Sequence, residues 1–211
     1  GNAARLGAGL VVAAGVSLGA LSEAWQEGAE AAAGPDGMTG HWDFVSVGPD
    51  HAALDAVVEP GALIKADVGC LVEGYSSDGA RTFSFGRPSA AALDIFKALE
   101  TAFYAGLDAL RPGNSFGAVH AAMIASMRRD GYGGYFRGHF GHGLGASVGS
   151  EEWPFISADN PEIIEPGMVL AIETPFYGRG VGALMIEDQL LVTPTGIEVM
   201  NTLPRELRDL S

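Results

Sequence analysis

Five side chains able to ligate a metal recur along this chain in one order: Asp67, Asp78, His142, Glu173 and Glu187. Four carboxylates brought together in a protein interior would protonate rather than stay charged, because an unpaired buried charge is costly. Cations solve that problem. Carboxylates with one imidazole suit borderline divalent ions such as Mn, Co, Fe or Zn, and a set of this size fits two of them. Any one of these acids alone reads as a solvated strand end or turn residue, so the case rests on their arrangement.

The elements around them supply it. The segment KADVGCLVEGYSSDGARTFSFG, which contains Asp67 and Asp78, reads as two strands and a turn. A turn centred between Val72 and Glu73 would set the two aspartates opposite each other, with Cβ atoms about 4.5–5.5 Å apart and within reach of one metal pair. Glu173 and Glu187 occupy a second hairpin, MVLAIETPFYGRGVGALMIEDQLLVT, centred on Gly180, where freedom to take positive φ is useful. Two acidic hairpins of like design predict pseudo-symmetric halves with metals between them. His142 falls in the Gly-dense stretch RGHFGHGLGASVGSEEWPFIS, three residues after His139.

Around these hairpins the sequence predicts helices packed on the outside of the sheet, a mixed α+β architecture. Apolar residues at helical spacing run from Ser89 to Leu110, Arg111-Pro112-Gly113-Asn114-Ser115 interrupts them, and a further helix runs from Phe116 to Arg129. Gly34-Pro35-Asp36-Gly37 and Gly48-Pro49-Asp50 read as turns. The uncharged run from Leu6 to Ser22 is diluted by Gly7, Gly9, Gly15 and Gly19. It falls short of the roughly 20 apolar residues that span a bilayer, and it lacks the flanks of a signal peptide. Two helices broken near Gly15-Val16-Ser17 are expected there, the second running through Trp25 and Ala32 and capped by Ser17 or Ser22.

Bulk properties bound the answer further. A chain of 211 residues with 47% hydrophobic composition can form one domain, 1–211, with a sizeable core. A net charge of −14 argues against nucleic acid or an anionic membrane as partner, since both need basic surface. Cys70 is the single cysteine, which excludes an intrachain disulfide, fits a reducing cytoplasm and reads as a core thiol.

Taken together, these motifs resemble the pita-bread metallopeptidases (creatinase, aminopeptidase P, prolidase and methionine aminopeptidase), and within them the Xaa-Pro branch. The resemblance covers almost the whole chain. It rests on Asp67-Val68-Gly69, on Gly74-Tyr75-Ser76-Ser77-Asp78-Gly79-Ala80-Arg81-Thr82, and on Gly141-His142-Gly143-Leu144-Gly145. Pro166 to Val169, Ile172-Glu173 and Ile186-Glu187-Asp188 complete it. It implies a two-metal hydrolase in which Asp78 and Glu187 bridge both ions, Asp67 completes one, and His142 and Glu173 complete the other. Water between the ions would be the nucleophile, and Glu173 would carry its proton toward the leaving amine. His51 and His139 resemble the family's substrate-pocket histidines, His139 standing three rather than four positions before the ligand.

Three departures bear on substrate. Ser150 fills the slot of a second family histidine, and a hydroxyl there cannot become cationic. Met185 stands where the Xaa-Pro enzymes carry arginine, which predicts that the site carboxylates lack a guanidinium partner. The family's E-P-G-I-Y reads Glu173-Thr174-Pro175-Phe176-Tyr177, with the proline shifted by one. The expected substrate is a short peptide with proline after the scissile bond. A methionine aminopeptidase, a hydrolase of non-peptide C–N bonds and a non-catalytic binding module are the alternatives. The chain opens Gly-Asn-Ala without Met, so an excised catalytic domain is expected, with homodimerisation dependent on a preceding N-terminal domain.

Overall fold

A computed structural model describes residues 5–6, 10–34, 37–146 and 151–211. In chain order the elements are β1 (Arg5–Leu6), β2 (Leu10–Val11), α1 (Leu18–Ala33), β3 (Met38–Asp43), β4 (Ser46–Val47), β5 (Ala62–Val72), β6 (Tyr75–Ser76) and β7 (Gly79–Phe85). Then follow α2 (Ala90–Ala109), α3 (Phe116–Arg129), β8 (Gly141–Gly143), β9 (Val169–Glu173), β10 (Phe176–Gly178), β11 (Gly182–Leu184), β12 (Glu187–Thr193), β13 (Gly196–Val199) and β14 (Arg208–Asp209).

The main sheet runs β3-β5-β7-β12-β9-β8, so the hairpin β5/β7 and the hairpin β9/β12 meet at its centre. Each half presents an edge strand, a middle strand and a strand at the seam, which is the expected pseudo-symmetry. Its pairings are antiparallel except that the short β14 lies parallel to β7.

Each helix starts where a serine can satisfy its first free amides. Ser17, Ser89 and Ser115 all have extended backbones, and their hydroxyls accept from the amides of Ala20, Ala92 and Ala118. Such caps contribute about 1 kcal/mol each. The helices α2 and α3 pack on each other and on β9, burying Leu99, Ala102, Phe103, Phe116, Val119, Met123 and Ile172 in one core. Gly106 makes the approach close, because a methyl there would meet Met123 Sδ at 2.7 Å and Ile172 Cδ1 at 2.8 Å. A second core joins Val12 and Leu21 of the N-terminal segment to Ile64 and Phe83 on the sheet.

The predicted helix before Gly15 is not what forms, since Arg5–Leu6 and Leu10–Val11 pair as antiparallel strands. Gly7 and Gly9 in that segment weigh against a helix, at roughly 1 kcal/mol each relative to alanine. The break near Gly15 and the Ser17 cap stand as expected. Among the described residues no helix is long and apolar enough to cross a membrane.

Candidate metal centre

Strand register places four of the five candidate ligands on one face of the sheet. Glu187, the first residue of β12, pairs with Ala80 on one side and with Glu173 on the other, while Asp67 pairs with Ala80. Asp67, Ala80, Glu187 and Glu173 therefore form a row across four strands. His142 lies opposite Ala171, two residues from Glu173, so period-two alternation turns it to the same face. Ile172, between them, points into the helical core.

The second hairpin closes as expected. Phe176 pairs with Leu184, Tyr177 with Ala183 and Gly178 with Gly182, and Gly180 takes φ 77° at the tip. The first hairpin is shifted. Asp67 faces Ala80 rather than Asp78, and the turn falls on Glu73-Gly74, with φ 52° and 84°. Two positive φ values in a two-residue loop are the pattern of a type I′ turn, for which Gly74 is suited. The expected centre would have forced Val72, a β-branched residue, into that conformation. Asp78 consequently sits two residues before the partner of Asp67, in the diagonal position, still on the same face.

Gly141 and Gly143 explain the setting of His142. Gly141 has φ 139°, and a Cβ there would collide with the Ala171 carbonyl oxygen. A Cβ on Gly143 would lie 2.7 Å from the Trp153 carbonyl oxygen. The imidazole so confined is 2% exposed, and its Nδ1 lies 2.9 Å from the Gly143 carbonyl oxygen. A carbonyl only accepts, so Nδ1 carries a proton and Nε2 is the atom left for a ligand. That nitrogen faces Asp78 Oδ2 at 3.7 Å and Glu187 Oε1 at 3.9 Å.

These three side chains are arranged to take a cation, their ligand atoms lying within 4.8 Å of one another. The second oxygen of Glu187, Oε2, is buried without a hydrogen-bond partner, a state that costs free energy until something positive meets it. Burial and the neighbouring Asp78 push the Glu187 carboxyl well above its usual range. Burial, then the charge of Asp67, lifts Asp78 to about 7. Asp67 is also raised, by burial, with Lys65 opposing. Without a cation this centre holds protons, whereas a divalent ion would displace them.

Glu173 lies in a second group. Its Oε1 is 3.3 Å from His139 Nδ1 and 3.8 Å from an Arg137 guanidinium nitrogen, and His139 Nε2 is 3.3 Å from Glu151 Oε2. The Glu173 carboxylate beside it raises the pKa of His139, with burial opposing. The site carboxylates thus do have a guanidinium partner, contrary to the expectation drawn from Met185. It arrives from the loop before β8, which no strand pattern could have placed at Glu173. Met185 itself is buried, and its backbone is held by Thr82.

On the other side of the row, Lys65 Nζ donates to Asp67 Oδ2 at 3.0 Å and lies 5.6 Å from the centroid of the Tyr177 ring. His51 packs on the same tyrosine, with ring centroids 5.2 Å apart. The structure thus sets His139 against Glu173, and His51 against Tyr177, the ring that Lys65 approaches. Ser150 lies outside the described residues. Cys70 is half-buried beside Ser77, on the strand position next to Gly69, and is not among the groups that could hold a metal.

Behind the row, polar side chains replace a missing ladder. Only Glu187 and Ala80 pair between β12 and β7. Beyond that point the Thr82 hydroxyl accepts from the Met185 amide at 2.7 Å and donates to the Met185 carbonyl at 3.0 Å. Arg81 donates to the Glu187 carbonyl at 2.6 Å and pairs with the fully buried Asp188, which Arg205 also grips at 2.6 Å. The Arg-Thr and Glu-Asp dipeptides are thus two sides of one clamp that fixes the backbone of Glu187.

An antiparallel sheet with outer helices carries four carboxylates and a histidine on one face, an arrangement suited to divalent cations. The sequence pattern of the metallopeptidase family M24 matches residues 3–194, and the chain belongs to that family. It is similar to the Xaa-Pro dipeptidase of Lactobacillus delbrueckii subsp. lactis, 33% identical over 153 residues, which are 72% of this chain and 41% of that protein. Among solved structures it resembles dipeptidase PepE from Mycobacterium ulcerans, with a TM-score of 0.85 and 31% identity over 94% of this chain and 54% of that one. An Xaa-Pro dipeptidase from Bacillus anthracis superimposes equally well, with a TM-score of 0.85 and 29% identity over 94% of this chain and 56% of that one. The pita-bread fold is thereby shown. The chain spans less than half the length of the curated relatives it matches, 44% and 41% of two of them.

Proposed function

We propose that this chain is the catalytic unit of a divalent-metal-dependent exopeptidase that cleaves short peptides next to their N-terminus, with Xaa-Pro as the preferred substrate class. The observation that carries this reading is the cluster of Asp78, His142 and Glu187, whose ligand atoms lie within 4.8 Å of one another and whose Glu187 Oε2 is buried without a partner. Asp67, Asp78, His142, Glu173 and Glu187 would hold the ions. Divalent ions held there supply Lewis acidity toward a scissile carbonyl and activation of water near neutral pH. Manganese suits this oxygen-rich donor set, and cobalt, zinc or iron would also fit.

The remaining work falls to side chains on the page. Glu173 is placed to receive a proton and pass it to a leaving amine, with His139 Nδ1 3.3 Å and an Arg137 guanidinium nitrogen 3.8 Å from its Oε1. His139, held between Glu151 and Glu173, offers a charged donor to a substrate carbonyl. His51 and Tyr177 wall the opposite flank, where the substrate's N-terminal residue would lie. Two named similarities, to Xaa-Pro dipeptidases of Lactobacillus delbrueckii subsp. lactis and Bacillus anthracis, support the substrate class. Ser150 in place of a pocket histidine weakens the charge available to the substrate and keeps Met-Ala peptides and non-peptide amides in the comparison. The single cysteine fits a cytoplasmic enzyme.

The deciding assay is a panel of Xaa-Pro dipeptides, longer Xaa-Pro peptides, Met-Ala peptides and small amides, with manganese or cobalt supplied. Turnover of Xaa-Pro substrates above the others is expected. Absence of turnover on every Xaa-Pro peptide by metal-loaded protein would remove the substrate assignment. Failure to take up any metal would favour the non-catalytic module.

A further inference from the structure

Beside the centre, the alternate residues Glu151, Trp153 and Phe155 are left unused by the five-ligand pattern. Their segment is anchored one residue after His142. The Gly143 amide donates to the Glu152 carbonyl at 2.8 Å, and the Glu152 amide donates to the Gly143 carbonyl at 3.1 Å. Glu152 turns its carboxylate toward Gly145, where a methyl would meet Oε2 at 2.9 Å. Glu151 and Phe155 turn instead toward His139. Glu151 Oε2 lies 3.3 Å from His139 Nε2, and the Phe155 ring centroid lies 5.2 Å from that of His139. The Trp153 ring follows, 5.9 Å from that of Phe155. Two ring-to-ring steps thus lead outward from the histidine beside Glu173, and they end in the open: Trp153 is 59% exposed and the Glu151 side chain 51%. Glu173 is the group placed to protonate the leaving amine, so that amine lies within hydrogen-bond reach of it and the substrate beyond the scissile bond passes His139. A peptide advances about 3.3–3.6 Å per residue, which brings the residue after the proline to Phe155 and Trp153. There an indole offers its ring face and a carboxylate its charge. The side chain that uses both is basic, since a guanidinium or ammonium stacks on an indole and pairs with a carboxylate. Glu151 turns one oxygen to His139, and its exposure leaves the other to a substrate. The net charge of −14 also favours the approach of a cationic peptide.

We infer that Trp153 and Glu151 form a subsite for the residue that follows the proline, and that this subsite selects a basic side chain. The two are specificity-determining residues on the leaving-group side, and the substrates they favour are peptides of the form Xaa-Pro-Arg or Xaa-Pro-Lys. This inference rests on the exopeptidase reading of the same centre.

Steady-state kinetics of the full chain with manganese on Ala-Pro-Arg-Ala, Ala-Pro-Leu-Ala and Ala-Pro-Asp-Ala, with Ala-Pro as reference, test it. The Arg peptide should exceed the Asp peptide roughly tenfold in kcat/KM, with the difference carried by KM and the Leu peptide between them. Trp153→Ala and Glu151→Gln should each lower the Arg peptide several-fold relative to Ala-Pro, whereas Trp153→Phe keeps a ring and should keep the order. Calorimetry of the leaving peptides Pro-Arg-Ala and Pro-Asp-Ala reads the same subsite without turnover, and Pro-Arg-Ala should bind more tightly. Equal kcat/KM for the Arg and Asp peptides in the wild type, or equal affinity for the two leaving peptides, would overturn the inference even if no variant folds. An undiminished Arg preference in folded Trp153→Ala and Glu151→Gln proteins would overturn it as well. Absence of turnover on all four peptides would instead remove the exopeptidase reading beneath it, a result recognisable because the Ala-Pro reference fails too.

Discussion

At the scale of single residues, the centre is a balance between burial and charge. Asp67, Asp78 and Glu187 all have their carboxyl pKa raised by burial. A carboxyl with a raised folded pKa contributes stability below its unfolded value and loses that contribution as pH rises through the folded one. For Asp78 the window runs from 3.8 to about 7. Metal-free protein should therefore lose thermal stability across that window, because the carboxylates must ionise in a dry site. Metal binds the deprotonated form and reverses the effect, so the rise in Tm on adding manganese should be larger at about pH 8 than at about pH 5.5. Equal rises at the two pH values would contradict this. Replacement of the nitrogen donor is the second test. His142→Ala should weaken metal retention in dialysis by at least the roughly 10–100-fold that loss of outer-shell partners costs, while circular dichroism stays unchanged.

At the scale of elements, the seam between β7 and β12 depends on side chains more than on backbone pairing. Asp188 is fully buried between Arg81 and Arg205, so Asp188→Asn leaves two guanidinium groups without their anion. Breaking such a buried network costs about 3–5 kcal/mol, measurable as a fall in the urea midpoint. Its loss should also loosen Glu187, whose carbonyl Arg81 holds, and lower metal affinity together with stability. Thr82→Val removes the hydroxyl that serves both the amide and the carbonyl of Met185 and should cost about 1–3 kcal/mol, since two buried backbone groups lose their partner. Much at this scale is legible from sequence. The Ser17 cap, the helices Ala90–Ala109 and Phe116–Arg129 and the Gly180 hairpin follow from local patterns. The first hairpin escaped by one residue on each strand, because turn chemistry at Glu73-Gly74 outweighed the apparent symmetry of two aspartates. The strands at Arg5–Leu6 and Leu10–Val11 escaped because a Gly-diluted apolar run carries no clear period.

At the scale of the whole molecule, two halves of like design meet at β7 and β12, with the helical core on one side of the second half and the acidic row on the other. The core and the metal centre share β9, where Ile172 packs under Gly106 while Glu173 faces the ligands. Truncation of a fully buried side chain in that core should be felt at the centre. Phe103→Ala is expected to cost about 3–5 kcal/mol of unfolding free energy and to reduce the cooperativity of unfolding monitored with bound metal.

The sequence by itself singled out five candidate ligands, the acidic hairpins that carry four of them and the helices behind them, because each depends on spacing within one short segment. Only the tertiary structure decided which charged groups gather around those ligands. Arg137 reaches Glu173 from a loop, Glu151 reaches His139, and Tyr177 comes to Lys65 from another strand. Lys65 shares the face of Asp67 by simple alternation, yet its effect on the centre depends on burial, which no local pattern states. Ligand identity is a property of strands, whereas the field those ligands feel is a sum over the folded surroundings. That is why candidate ligands were readable before the fold and their charged neighbours only after it.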